Sequence, residues 1–217
     1  MLSDTYKHKG LRAALIKSLE KKGITDQAVL KAMMQVPRHF FLDTAFLIHA
    51  YEDKAFSIGE GQTISQPYTV AFQTQLLEIK PREKILEIGT GSGYQSSILM
   101  AMGAQLYTIE YNQNLYRKAR QKFQLLGYQP VMQCGDGSKG MPAFAPFHKI
   151  LVTAGAPSIP ASLTAQLAVG GSLVIPVGDL QNQEMLKIVK TDEGQFKVYR
   201  HGDFAFVKLM GDEGWGK

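Results

Sequence analysis

Lys84-Ile85-Leu86-Glu87-Ile88-Gly89-Thr90-Gly91-Ser92-Gly93-Tyr94 is the stretch whose reading decides the fold. It begins as a short apolar run of β-formers, which suits a buried parallel strand. Glycine then takes every second position, at 89, 91 and 93. Residues 94–102 follow with the apolar face of a helix. Strand, glycine turn and helix open a nucleotide-binding βαβ unit. Glycines in the turn let the backbone approach a ligand with no Cβ in the way.

The spacing restricts which ligand. The dinucleotide pattern G-x-G-x-x-G and the phosphate loop G-x-x-x-x-G-K-[ST] are both absent: the third glycine comes one residue early and no Lys follows it. Leu106–Glu110 reads as the next strand and ends in an acid, placed where a carboxylate accepts both ribose hydroxyls. A third strand, Val131–Cys134, runs into Gly135-Asp136-Gly137 and brings a second acid to the same rim. Two carboxylates beside a glycine loop repel a pyrophosphate. They suit a ligand with a ribose, an adenine amine and a positive charge, which is the description of S-adenosyl-L-methionine.

Outward from this stretch the elements alternate. Helices around 96–102 and 114–125, a strand at 149–153, a helix at 160–167 and a strand at 172–177 predict an α/β fold. Its sheet is doubly wound and mostly parallel. Residues 185–191 and 195–200, joined through Asp192-Glu193-Gly194, read as an antiparallel C-terminal hairpin, with 204–207 continuing it or forming another strand. The glycine-rich tail, 211–217, is expected to fray. On the N-terminal side, 10–22 reads as an amphipathic helix with Leu11, Leu15, Ile16 and Leu19 inward. A second helix, 26–36, has Thr25 as its N-cap and Val29, Leu30, Met33 and Met34 inward, and ends at Pro37. This helical block needs the sheet to complete its core. Residues 51–68 read as one long irregular loop, which inside a compact domain is usually functional. A single domain is expected: a helical extension (1–57), an active-site loop (58–68), the cofactor core (69–178) and antiparallel strands with a tail (179–217).

Composition fits that architecture. The chain has 217 residues, 45% hydrophobic and 20% charged, enough for one sizeable α/β domain. It has no run of eighteen apolar residues, and its N-terminus lacks a signal-peptide core, so a cytoplasmic protein with no membrane span is expected. The net charge of +5 belongs to residues 1–40, and the rest of the chain is balanced. Spread at helical spacing with few aromatics, these basic residues read as a solvated helix face and not as a nucleic-acid site. The lone cysteine, Cys134, reads as a small buried residue.

The acceptor is harder to read. Ser65-Gln66-Pro67-Tyr68 lacks the double proline of the [DNS]-P-P-[YFW] motif for amine acceptors. A hydroxyl acceptor needs a base or a metal, and the histidines at 8, 39, 49, 148 and 201 have no ligand spacing. A carboxylate acceptor needs neither, being ionised at pH 7 with a reference pKa of about 4.

On further stretches the chain resembles the protein-L-isoaspartate O-methyltransferase family. These are Val36-Pro37-Arg38-His39-Phe40, Gly61-Gln62-Thr63-Ile64-Ser65-Gln66-Pro67, Leu86–Tyr94, Gly135-Asp136-Gly137, Ala145-Pro146-Phe147, Val152-Thr153-Ala154, Gln166-Leu167, Gly170-Gly171 and Val174–Gly178. The resemblance implies a Rossmann-like, S-adenosylmethionine-dependent methyltransferase. It would methylate the α-carboxyl of L-isoaspartyl residues in damaged proteins and peptides, release S-adenosyl-L-homocysteine, and start repair through a succinimide. A related enzyme acting on another carboxylate or a small molecule is the alternative. The resemblance makes Ser65 the catalytic and substrate-orienting residue. It puts Gln62, Thr63 and Ile64 against the cofactor, Glu87 near its methionine end, Glu110 on the ribose and Asp136 on the adenine amine. Ile88, Gly89, Thr90, Gly91, Ser92, Gly93, Gly135, Gly137 and Thr153 complete that set. Phe206 and Val207 would bind the peptide by their backbone, with no metal and a monomeric chain. Two departures stand out: His148 where the family has Asp, and Lys208 where it has Pro.

Overall fold

The computed structural model describes residues 3–216; Met1, Leu2 and Lys217, the ends of the predicted N-terminal stretch and tail, lie outside them. Two helices open the chain, α1 (Tyr6–Lys21) and α2 (Gln27–Gln35), followed by 3-10 turns at Arg38–Phe41 and Thr44–His49. A small hairpin comes next, β1 (Phe56–Gly59) and β2 (Gln62–Ile64), then α3 (Pro67–Leu77). The central unit is β3 (Lys84–Ile88), α4 (Tyr94–Ala101), β4 (Gln105–Glu110), α5 (Gln113–Leu126) and β5 (Val131–Cys134). It is completed by β6 (Phe147–Val152), α6 (Ala161–Ala165), β7 (Leu167–Gly178), β8 (Gln183–Asp192) and β9 (Gln195–Phe204).

Seven strands form one sheet in the order β5-β4-β3-β6-β7-β8-β9. The first five pair in parallel, and β8 and β9 add antiparallel. The chain leaves β3 towards β4 on one side and later returns to β6 on the other, so the strand order reverses beside β3. Ligands in open α/β sheets bind at such a switch point, beyond the carboxyl ends of the strands. Ile85, Leu86, Glu87 and Ile88 are all buried, as a strand covered on both faces requires. Helix α5 lays Leu115, Ala119 and Phe123 on the sheet at four-residue spacing, capped by Asn112 and closed by Gly127 in the left-handed conformation.

The N-terminal block has no separate core. Leu15, Leu19, Val29 and Met33 pack in one cluster with Val70 of α3 and Tyr94 and Ile98 of α4. Each fully buried aliphatic side chain contributes about 1.5–3 kcal/mol, so this docking decides whether the block folds at all. The face of α1 differs from expectation: Leu11 is 40% exposed and Arg12 is buried instead. Arg12 pairs with both oxygens of Asp4 and donates to Tyr51 Oη, which satisfies its charge in the interior. Helix α2 is capped by Asp26 and not Thr25: its carboxylate accepts from the Ala28 and Val29 N–H groups, while the Thr25 and Asp26 N–H groups donate to Gln75 Oε1. Met34 is half-buried. Among the described residues no helix is long and apolar enough to cross a membrane.

The irregular stretch 51–68 contains the β1–β2 hairpin, turned at Glu60-Gly61, where Glu60 adopts φ 55°. Its strands of four and three residues pair only with each other, too short for an alternation to register in the sequence. Among the described residues the tail is packed down and does not stand free as expected. Trp215 donates from its backbone N–H to Leu209 O and from Nε1 to Gly155 O, 2.8 Å away; Glu213 bonds Ser162. Residues 206–207 do not extend β9 either. The chain crosses to the loop after β6, where Gly155 N–H donates to Val207 O and Leu209 N–H to Gly155 O.

Candidate active site

A cavity of about 270 Å3 opens at the switch point. Gln62, Thr63, Ile64 and Ser65 line it from β2 and the segment after it, and Ile88, Gly89, Thr90, Gly91 and Ser92 from the glycine loop. Glu110, Gly137, Thr153, Val207 and Lys208 also lie on its wall. A smaller cavity of about 80 Å3 adjoins it, lined by Ala55, Gln66, Thr69, Ala205 and Phe206. The two share Thr63, Ser65, Thr153 and Val207.

The glycine loop is a close-approach surface. Gly89 has φ 95°, and a Cβ there would stand 2.4 Å from Thr153 Oγ1. That hydroxyl is already committed, donating to Ile88 O and Gly89 O. Gly93 serves packing instead: it is the N-cap of α4, does not line the cavity, and a Cβ there would meet the Phe123 ring at 2.9 Å. Ile58 reaches from the hairpin to within 3.6 Å of a Cβ position at Gly91, and Glu60 ties the hairpin tip to Asn112 and Asn114. The hairpin therefore folds over the loop as a cover.

The acids behave unequally. Glu110 accepts from the Gly91 N–H at 2.7 Å and the Asn112 N–H at 2.9 Å and still faces the cavity, with its pKa raised by burial. Glu87 is fully buried and does not reach the cavity. Its Oε2 accepts from Ser96 Oγ and from Thr108 Oγ1, and Thr108 Oγ1 is 2.7 Å from Thr90 Oγ1. Burial pushes its carboxyl up to about 8, and Oε1 has no partner. Glu87 thus braces the glycine loop from beneath, one layer behind the cavity wall. Asp136 is diverted as well. Ser138 N–H and Oγ donate to Oδ1, and Asp212 N–H of the tail to Oδ2. Neither it nor Gly135 lines the cavity, while Gly137 does. An acid at a strand end reads as a ligand from sequence; here Ser138 holds one of its oxygens and the packed tail the other.

Ser65 is half-buried in the shared wall, and its hydroxyl has no hydrogen-bond partner among the described residues. The sequence reading left out several lining residues, among them Val70, Tyr94, Gln95, Tyr111, Asn112 and Leu209, and it reached Glu60 only as part of the expected active-site loop 58–68. Of the two departures, His148 lies at the opposite end of the sheet, where Nδ1 accepts from the Lys84 N–H, whereas Lys208 is on the cavity wall. Cys134 is half-buried, and burial raises its thiol pKa.

The lining suits a nucleoside cofactor without phosphates: glycine backbone without Cβ atoms, apolar Ile88 and Ile109, and a carboxylate, Glu110, hydrogen-bonded to the loop itself, where it would repel a pyrophosphate.

The family described as Protein-L-isoaspartate(D-aspartate) O-methyltransferase (PCMT) matches residues 10–214. A Protein-L-isoaspartate O-methyltransferase of Cytophaga hutchinsonii is 56% identical, over 99% of this chain and 97% of its own. One of Flavobacterium johnsoniae is 54% identical, over 98% of this chain and all of its own. Among solved structures, a protein-L-isoaspartate O-methyltransferase superposes with a TM-score of 0.82 at 28% identity, covering 90% of this chain and 65% of that one. A putative protein-L-isoaspartate O-methyltransferase from Plasmodium falciparum, in complex with S-adenosyl-L-homocysteine, gives 0.79 at 25% identity, covering 93% and 97%.

Proposed function

The chain belongs to the protein-L-isoaspartate(D-aspartate) O-methyltransferase family, and we propose that its two adjoining cavities divide the reaction, cofactor in the larger and isoaspartyl acceptor in the smaller. The enzyme transfers a methyl group from S-adenosylmethionine to the α-carboxyl of L-isoaspartyl residues in damaged proteins and peptides. When bound, the cofactor supplies a methyl group activated on a sulfonium. The glycine loop admits its nucleoside, and Glu110 accepts from the ribose hydroxyls with the lone pairs that Gly91 and Asn112 leave over. Ile64, Val70 and Leu209 exclude water around the reacting atoms.

The observation that carries this reading is the position of Ser65, on the wall common to both cavities with an uncommitted hydroxyl. An ionised carboxylate is already a nucleophile, so no base is required; what remains is alignment. Ser65 Oγ–H donates to one carboxylate oxygen and leaves the other directed at the methyl group. Ala205, Phe206 and Val207 present backbone to the peptide on the far side of the smaller cavity, apart from Phe206 N–H and Val207 O, which are held by Gln183 Oε1 and Gly155 N–H. In the product ester the neighbouring backbone nitrogen attacks the carbonyl carbon, loses its proton and expels methanol, a leaving group the free carboxylate lacks; the succinimide so formed hydrolyses to return some normal aspartate.

Ser65→Ala tests the division. With isoaspartyl and aspartyl versions of one peptide and methyl-labelled cofactor, label is expected on the isoaspartyl peptide alone. The variant should lose about 100-fold in transfer while binding cofactor within about twofold of the parent. A proportional fall in cofactor affinity would put Ser65 in the cofactor's wall and sink its role as the acceptor's orienting group.

A further inference from the structure

We propose that Lys208 is a specificity-determining residue that favours isoaspartyl peptides with acidic neighbours, an inference resting on the acceptor assignment above. Among the described residues that line either cavity, Lys208 is the one Lys or Arg, and the acids there are Glu60 and Glu110. Both acids line the larger cavity, and among the described residues the smaller one has no charged lining, so Lys208 is the one cationic side chain beside an otherwise uncharged acceptor wall. Lys208 is exposed and forms no ion pair among the described residues, so its ammonium is available to a substrate.

Its backbone is nevertheless fixed. Lys208 bridges Gly155 in parallel, with Gly155 N–H donating to Val207 O at 2.7 Å and Leu209 N–H donating to Gly155 O at 2.8 Å. Lys208 lines the larger cavity next to Val207, which both cavities share, so it is anchored directly beside the acceptor wall. The charge acts on flanking residues and not on the reacting carboxylate. That carboxylate loses its negative charge as the methyl transfers, so a tight ammonium contact would stabilise the ground state more than the transition state. A solvated lysine at the rim instead biases encounter and weak binding of acidic chains, an effect that salt screens.

The test compares two isoaspartyl peptides of equal length, one flanked by aspartates and one by lysines. At low salt the parent enzyme should prefer the acidic peptide in kcat/KM by about three- to tenfold. The preference should shrink at about 0.5 M salt. Lys208→Ala should bring the ratio to one or below through the KM of the acidic peptide, and Lys208→Arg should restore it. A ratio that Lys208→Ala leaves as in the parent overturns the inference while the acceptor assignment stands. A parent enzyme that labels neither isoaspartyl peptide overturns the assignment, and the role of Lys208 with it.

Discussion

The glycine-loop side of the larger cavity comes from one continuous stretch, residues 88–112, whereas the proposed acceptor cavity is assembled from separate segments at 55, 63–69, 153 and 205–207. The first is buried and cross-braced: Thr90, Thr108, Glu87 and Ser96 form one hydrogen-bonded chain through the loop, β4, β3 and α4. The second is more exposed and held by a handful of backbone contacts at Gly155. A local, rigid element suits a cofactor that never varies. A wall assembled from distant segments can change residue by residue, and Lys208 is such a change.

Damage on the first side should remove cofactor binding outright. Gly89→Ala is the sharpest case. Its φ of 95° disfavours any Cβ, and the Cβ would overlap a threonine hydroxyl pinned by two carbonyls. Cofactor affinity measured by calorimetry should fall by at least about 100-fold, equivalent to about 2.7 kcal/mol. Affinity within a few-fold of the parent would mean that the loop yields, and that the two sides do not differ in rigidity.

The brace beneath the loop carries a pH signature of the next largest size. Burial raises Glu87 from an ordinary 4.5 to about 8, with the Ser96 and Thr108 hydrogen bonds opposing. In the unfolded chain the carboxyl ionises near 4.5, whereas in the folded chain it stays protonated to about 8. Between those values the folded state holds more protons, so stability falls as pH rises, by at most about 1.4 kcal/mol per pH unit. Glu87→Gln keeps an acceptor for both hydroxyls and cannot ionise. Its denaturant-derived stability should therefore be flatter than the parent's from pH 5 to about 8. Parallel curves for the two proteins would show that Glu87 is not the titrating brace.

The same contrast governs what the sequence reveals. Strands β3 and β4, the glycine turn, Glu110 and the β8–β9 hairpin are legible because their signals are local: an apolar run, an alternate glycine spacing, a Gly194 turn. Lining by Gln62–Ser65 came through the family resemblance and not through periodicity. The rest depends on partners far along the chain. Arg12 turns inward because Asp4 and Tyr51 meet it, which displaces Leu11. Asp136 has the sequence signature of a ligand, yet the tail claims it: a Cβ at Gly211 would overlap Asp136 Oδ1. Glu87 and Ile88 are neighbours on one strand, and only the alternation of side chains sends one to the brace and the other to the cavity.

The mildest break falls on the acceptor side. Trp215 Nε1–H donates to Gly155 O, the same carbonyl that accepts from Leu209 N–H. Trp215→Phe removes that one bond and keeps most of the ring. A neutral hydrogen bond contributes about 0.5–1.5 kcal/mol. The segment that carries Val207 and Lys208 should then loosen without unfolding, because the Gly155 contacts to Val207 and Leu209 persist. The expected result is a rise of about two- to fivefold in the KM for an isoaspartyl peptide, with cofactor affinity as in the parent. Hydrogen exchange should quicken at residues 205–215 and not at 89–93. A cofactor affinity that weakened in step with the peptide KM would show that the two sides move as one body, and the distinction between a rigid half and an assembled half would fall.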